Sequence, residues 1–181
     1  MIWVEPLKIN VVGTSASGKT TFGRQLAKKL DIPFIEMDEV FWGADWQEPP
    51  DAEFFPKLEA ALIGKSWILD GNYTRTIPIK WNDIDMVIWL DYSFSRTLYQ
   101  SLTRAINRSY TKRELWPNTG NRESFGKLFS KDSIVLWMIR GYPRNRAKYL
   151  KAMSNTNYSH IKFLRLTSPK QARKYIESLQ W

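Results

Sequence analysis

Apolar runs and helical patterns alternate along the whole chain. Leu7 to Val12 reads as a first strand ending at Gly13. Thr20 to Leu30 follows as a helix, with Phe22, Leu26 and Leu30 recurring every fourth residue. Pro33 to Met37 is a short second strand, and Ala52 to Ile63 a helix with Phe55, Leu58 and Leu62 on one face, stopped by Gly64. Trp67 to Asp70 and Met86 to Asp91 are two apolar runs, each closed by an aspartate. A helix capped by Ser93 or Ser95 runs to about Asn107, and another spans about Asp132 to Gly141 and continues past Pro143. Ile161 to Leu166 is the last strand, and Pro169 to Leu179 the last helix, with its proline in the first turn. Trp67, Trp89 and Trp137 fall in the core pattern, whereas Phe41, Trp42 and Trp46 lie in a loop outside it. Strands alternating with helices of this length predict βαβ units, hence an α/β fold whose parallel sheet is covered on both faces.

The 181 residues suffice for one buried core and too few remain for a second domain of ordinary size, so a single domain over residues 1–181 is expected. No apolar run is long enough to cross a bilayer, and Met1 to Pro6 lacks the basic flank and cleavage site of a signal peptide. The expected compartment is the cytoplasm. The absence of cysteine excludes disulfides and thiol chemistry, and the single histidine, His160, excludes a histidine-cluster metal site.

The location of the net charge of +9 changes the picture more than its size. Residues 1–103 carry 10 Lys/Arg against 14 Asp/Glu, whereas residues 104–151 carry 12 against 3. A basic middle segment suits a polyanion, either the phosphates of a nucleotide or a nucleic-acid backbone, or is a solvated face. Within it, Ser109 to Ser130 lacks periodicity and contains Pro117, Asn118, Gly120, Asn121 and Gly126. A polar stretch of this length inside a compact domain is often a lid, expected here over about residues 108–131.

Gly13-Thr14-Ser15-Ala16-Ser17-Gly18-Lys19-Thr20 fits G-x-x-x-x-G-K-[ST] and lies between an apolar strand and an amphipathic helix, the context that a phosphate-binding loop requires. Its main-chain amides and the helix N-terminus would hold the phosphates of ATP, with Lys19 on the β- and γ-phosphates, the Thr20 hydroxyl on Mg²⁺ and Thr21 just behind. Asp70 and Asp91 each end a strand, where a carboxylate can either ligate Mg²⁺ or cap the next helix. The metal role is expected at Asp70, followed by Gly71-Asn72, and the cap at Asp91, followed by Ser93. Asp38 closes the second strand and can accept a proton from an acceptor hydroxyl or cap a turn. Phe41, Trp42 and Trp46 form either an apolar wall for an acceptor or a packed lid. Arg104 and Arg108 lie four apart just before the polar segment, and Arg140, Arg144 and Arg146 just after it, placed to close on a triphosphate.

Trp67 to Pro78, with Leu69-Asp70-Gly71 followed by Arg75, resembles the adenylate-kinase segment in which the aspartate lies in the Mg²⁺ shell and the arginine holds the acceptor phosphate. Arg75 stands one residue later than in those enzymes, and Asn72-Tyr73-Thr74 replaces their Phe-Pro. Asp38 falls where shikimate-kinase-like enzymes place an acceptor-binding aspartate. Met37-Asp38 with Phe41, Trp42 and Trp46, the Asp70 to Tyr73 stretch, and Arg140 to Arg144 around Tyr142-Pro143 together resemble the topology modulation protein (FlaR-like) group, over nearly the whole chain. The resemblance implies a three-layer, NMP-kinase-like P-loop fold with strand order 2-3-1-4-5 and ATP as phosphate donor. It does not supply the acceptor, which for a kinase is expected among Asp38, Phe41, Trp42, Asp70, Tyr73 and Arg75, with an acceptor-binding insertion over about residues 38–64. It also implies Arg104 or Arg108 at a lid hinge, and the Thr167-Ser168-Pro169 turn beside adenine, with Arg104, Ser168 and Pro169 as further ATP contacts.

Two functions are compatible with these residues: a small Mg²⁺-dependent phosphotransferase, and a nucleic-acid-associated ATP-binding protein that affects DNA topology. The first is favoured, because no helix-turn-helix or zinc-finger pattern accompanies the basic segment. A GTPase switch is disfavoured by the absence of Asn-Lys-x-Asp.

Overall fold

The computed structural model describes residues 6–111, 114–116, 119–121 and 133–179. One parallel sheet runs in the order β2-β3-β1-β4-β5, from β1 (Lys8–Gly13), β2 (Phe34–Glu36), β3 (Trp67–Asp70), β4 (Met86–Leu90) and β5 (Lys162–Leu166). The helices are α1 (Lys19–Leu30), α2 (Met37–Phe41), α3 (Asp51–Ala61), α4 (Ile77–Lys80), α5 (Phe94–Thr111), α6 (Ile134–Met153) and α7 (Pro169–Ser178). The expected fold class and strand order are both met.

Side chains alternate between the faces of each strand, and this alternation builds two cores. Ile9 and Val11 of β1, Ile68 of β3, and Ile88 and Leu90 of β4 pack with Phe22, Leu26 and Leu30 of α1 and Ala172 of α7. On the other face, Val12, Trp67, Leu69, Val87 and Trp89 pack with Met37 and Phe41 of α2, Phe54 and Leu58 of α3, and Tyr149 and Ala152 of α6. Burying each of the valine, leucine, isoleucine, phenylalanine and methionine side chains contributes about 1.5–3 kcal/mol. Register then fixes the functional edge. Val11 lies opposite Asp70 across β1–β3, and Glu36 opposite Asp70 across β2–β3. By its parity along β3 Asp70 points to the same face as Ile68, toward α1.

Packing overrides the sequence pattern in several places. The second strand stops at Glu36, because Met37 and Phe41 turn inward as α2 and join the core. Phe41 is therefore a core residue, not a loop residue. Helix α3 ends at Ala61, short of Gly64, and buries Phe54 with Leu58 while Phe55 and Leu62 are partly covered. Ser133 caps α6 by accepting from Val135 N–H at 3.2 Å, and the helix runs unbroken through Pro143. The proline removes one donor, but Tyr142 donates to the Tyr92 carbonyl at 3.0 Å and Arg146 pairs with Asp91 at 3.5 Å, anchoring α6 on both sides of it. Trp137 lies off the inward stripe of Val135, Met138, Gly141, Tyr149 and Ala152 and is 65% exposed, contrary to its expected place in the core. Asp91 is not a cap. Its Oδ2 accepts from Arg165 Nε at 2.9 Å and from an Arg165 terminal nitrogen at 2.5 Å, and Ser93 Oγ accepts instead from Arg96 N–H at 3.4 Å. Residues 112–113, 117–118 and 122–131 of the expected lid lie outside the described residues, as does Asp132.

Candidate active site

The loop between β1 and α1 is set by its backbone. Gly13 has φ +152°, and a Cβ there would stand 2.7 Å from the Leu90 carbonyl oxygen and 2.8 Å from Ser17 Oγ. No larger residue fits. Ala16 takes a left-handed φ of 65°, Gly18 takes φ 90° as it leads into α1, and Ser17 N–H closes the turn on the Thr14 carbonyl at 3.0 Å. Thr14 and Ser17 are buried, Ser15 is half-buried and Thr21 is exposed. Ser17 Oγ is buried with no hydrogen-bond partner among the described residues. Lys19 Nζ donates to the Thr14 carbonyl at 3.3 Å, folding the lysine back over its own loop.

The first turn of α1 meets the end of β3 here. Thr20 Oγ1 donates to Asp70 Oδ2 at 2.5 Å. Asp70 is 5% exposed, and its Oδ1 has no hydrogen-bond partner among the described residues. Burial raises its pKa from the ordinary 3.8 to about 6, against the opposing charge of Lys19 and the Thr20 bond, with Asp38 and Glu36 adding to the rise. A hydroxyl beside a buried carboxylate that has an open oxygen is a donor set that fits a hard divalent cation.

Asp38, in the first turn of α2 rather than at the strand end, accepts from the Tyr73 hydroxyl at 2.7 Å. Burial first, and Asp38 second, push the Tyr73 phenol well above its usual range, so it stays a donor. The Phe41 ring sits 4.7 Å from Tyr73 and 4.9 Å from Trp42. Trp42 stacks on Trp116 at 6.1 Å, and Trp46 meets both edge-on. Asn121 ties this loop to the basic segment, donating to the Gly43 carbonyl at 2.9 Å and accepting from Trp46 N–H at 2.8 Å. Arg75 pairs with Asp51 at 3.1 Å, its guanidinium lying over Phe41 and Phe54.

The expected arginines divide. An Arg104 terminal nitrogen donates to Ser15 Oγ of the loop at 3.1 Å, so α5 reaches the P-loop. Arg108, one turn on, is half-buried, whereas Arg140 and Arg144 are exposed on α6. Ser168 caps α7 by accepting from Gln171 N–H at 3.2 Å, with Pro169 in its first turn.

Four polar residues with no role in the sequence reading also gather at this edge. Lys80 is fully buried and donates to the Gly71 carbonyl at 3.1 Å, which also accepts from Asn10 at 3.3 Å. Burial pushes its pKa well below the ordinary value, and Lys148 adds to the shift. Lys148 donates to Thr74 Oγ1 at 3.1 Å, and burial, with the charge of Lys19, lowers its pKa to about 8. Asn72 and Tyr149 bond to each other beside Gly13. No periodicity marks these residues. Asn72, directly after Asp70-Gly71, was the only one that the motif context pointed to.

A parallel sheet in this order, with the Gly13 to Thr20 loop after its central strand, has the fold of the shikimate-kinase-like P-loop proteins. The shikimate kinase family model matches residues 15–51. A shikimate kinase from Paracidovorax citrulli (strain AAC00-1) is 50% identical over 34 residues, which make up 19% of this chain and 19% of that protein. The match thus spans about a fifth of the curated relative's length. The structure of shikimate kinase from Acinetobacter baumannii in complex with shikimate superposes over 96% of this chain and 90% of that one, with a TM-score of 0.58 and 19% identity. At that identity the shared property is the fold. No described helix is long and apolar enough to cross a membrane.

Proposed function

We propose that the protein is a Mg²⁺-dependent phosphotransferase that moves the γ-phosphate of ATP to a small hydroxyl-bearing acceptor. One observation carries this reading: the Thr20 hydroxyl is bonded to a buried Asp70 carboxylate at the mouth of the P-loop. In this reading Gly13 to Gly18 cradle the triphosphate with Lys19, and Thr21 and Arg104 flank it. Thr20 and Asp70 would hold Mg²⁺, whose charge would offset that of the triphosphate.

Asp38 orients the acceptor. Tyr73 occupies its Oδ1 and leaves Oδ2 to take the hydroxyl proton as the acceptor oxygen bonds to the γ-phosphorus and ADP departs. The carboxylate thus acts as general base, while the loop amides and lysine supply electrostatic stabilisation. The family match over residues 15–51 includes both the end of the P-loop and Asp38, which supports a hydroxyl acceptor. Phe41 and Trp42 back that subsite, with Arg75 at its rim. Arg108, Arg140 and Arg144 are proposed to serve the lid over residues 108–131, and Ser168-Pro169 the adenine. The chain's resemblance to the topology modulation protein group is consistent with this chemistry and adds no reaction of its own. The supply of nucleoside triphosphate and Mg²⁺ there makes the cytoplasm the proposed compartment.

The test is transfer of labelled γ-phosphate from ATP across nucleosides, nucleotides, polyhydroxy acids, shikimate and DNA, with Lys19→Ala as control. Transfer to one small hydroxyl compound, lost in Lys19→Ala, is the expected outcome. Hydrolysis stimulated only by DNA, with no small acceptor labelled, would refute the reading in favour of a nucleic-acid-associated ATPase.

A further inference from the structure

Gly13 is where β1 enters the donor loop, and the side chain of Asn72 clamps its peptide groups from both directions. Gly13 N–H donates to Asn72 Oδ1 at 3.0 Å, and Asn72 Nδ2 donates to the Gly13 carbonyl at 2.6 Å. Asn72 Oδ1 takes a second donor, the Tyr149 hydroxyl at 2.9 Å. The amide orientation is thereby fixed, since two donors face its oxygen and an acceptor faces its nitrogen. Aspartate would set a carboxylate against the Gly13 carbonyl, and glutamine would be one methylene too long.

The clamp is itself held firmly. Tyr149 is 1% exposed, its ring packs 5.6 Å from Trp89, and burial pushes its hydroxyl well above the usual phenol range, so it remains a donor. The preceding residue on α6, Lys148, donates to Thr74, two residues beyond Asn72. Two consecutive residues of α6 therefore grip the Asn72–Thr74 segment, and Asn72 in turn grips the loop.

We infer that Asn72 is a positioning residue for the nucleotide donor, and that Tyr149 acts through it to make donor affinity depend on how α6 is seated. A loop that binds an anion through main-chain amides gains affinity when its shape is set before the ligand arrives. The strut sets that shape at the loop's first residue, as α1 does at its last. The inference rests on the donor-loop reading above. It adds a residue that touches no substrate, and a link from a helix on the opposite face of the sheet from α1.

The test is calorimetric titration of Mg·ATP into wild type, Asn72→Ala, Tyr149→Phe and the double variant, with thermal melts of each without nucleotide. Tyr149→Phe keeps the buried ring, so it tests the strut even where Asn72→Ala folds poorly. The expected result is a Kd raised about tenfold by Asn72→Ala and about threefold by Tyr149→Phe. The double variant is expected to be no weaker than Asn72→Ala, because Tyr149 has nothing left to hold. Melting shifts with Kd unchanged in both single variants would reduce the strut to a packing feature, and fully additive losses would break the link through Asn72. If the wild type itself binds no Mg·ATP, the donor site falls and the strut falls with it. If the wild type binds and the variants bind equally well, only the strut falls.

Discussion

The proposed metal role needs Asp70 charged in a place that disfavours charge, and this conflict gives a measurable pH dependence. Its pKa rises from 3.8 in an unfolded chain to about 6 in the fold, chiefly through burial. A carboxyl whose folded value is raised contributes most stability when protonated. The contribution is fully present below pH 3.8 and is lost as pH climbs through 6. The whole rise is worth on the order of 3 kcal/mol, and about 2 kcal/mol of it falls between roughly pH 4.5 and 7.5. Asp70→Asn cannot titrate, although its amide still offers an oxygen to Thr20. Urea unfolding of both proteins across that range, without nucleotide or Mg²⁺, isolates the effect as the difference between two curves. The wild type should lose about 2 kcal/mol relative to Asp70→Asn as pH rises over this window. Adding Mg·ATP should restore the wild type and leave Asp70→Asn nearly unchanged. Parallel pH profiles would refute the burial argument, and an equal response of wild type and Asp70→Asn to Mg·ATP would refute the metal role.

Other variants probe the remaining parts of the site. Asp38→Asn should lower transfer to the acceptor by about a hundredfold or more while Mg·ATP still binds, and a wild-type kcat would remove Asp38 as base. Lys148 titrates near pH 8 in the fold against 10.5 when free, so its charge opposes folding at neutral pH. Stability of the wild type relative to Lys148→Met should therefore rise as pH climbs from about 7 toward 10, as read by chemical denaturation. A flat difference would show that burial does not perturb this lysine. Among the described residues, Arg165→Met leaves the buried Asp91 with Arg146 at 3.5 Å as its one remaining cation, and should cost about 1–3 kcal/mol in the same measurement. Loss well below that would mean that solvent compensates Asp91.

The regular parts of the fold were legible because their causes are local. Strand β1, the Gly13 to Thr20 loop and α1 each declare themselves within a few residues, by apolar run, glycine placement and fourfold spacing. Asp70 could be placed at the carboxyl edge because it closes an apolar run, and in a parallel sheet every strand's carboxyl end lies on that edge. The fate of Asp91 was hidden, since its partners Arg165 and Arg146 are supplied by β5 and α6, more than fifty residues away. The same distance concealed Tyr149, whose hydroxyl reaches Asn72 across 77 positions of sequence. Phe41 was misread because a five-residue helix gives no period to count, and only contact with Phe54 and Tyr73 shows where its ring goes. Trp137 was misread for the opposite reason: an aromatic within an apolar run looks buried until the helix's inward stripe is fixed by its neighbours. The chain alone determined which backbone segments form and where a glycine-bounded loop runs into a helix N-terminus, because propensity, glycine conformation and strand parity act over short range. Tertiary packing decided which charges are buried, which side chains meet at the carboxyl edge and what holds the loop in shape, because desolvation and hydrogen bonding depend on partners that only the folded chain brings together.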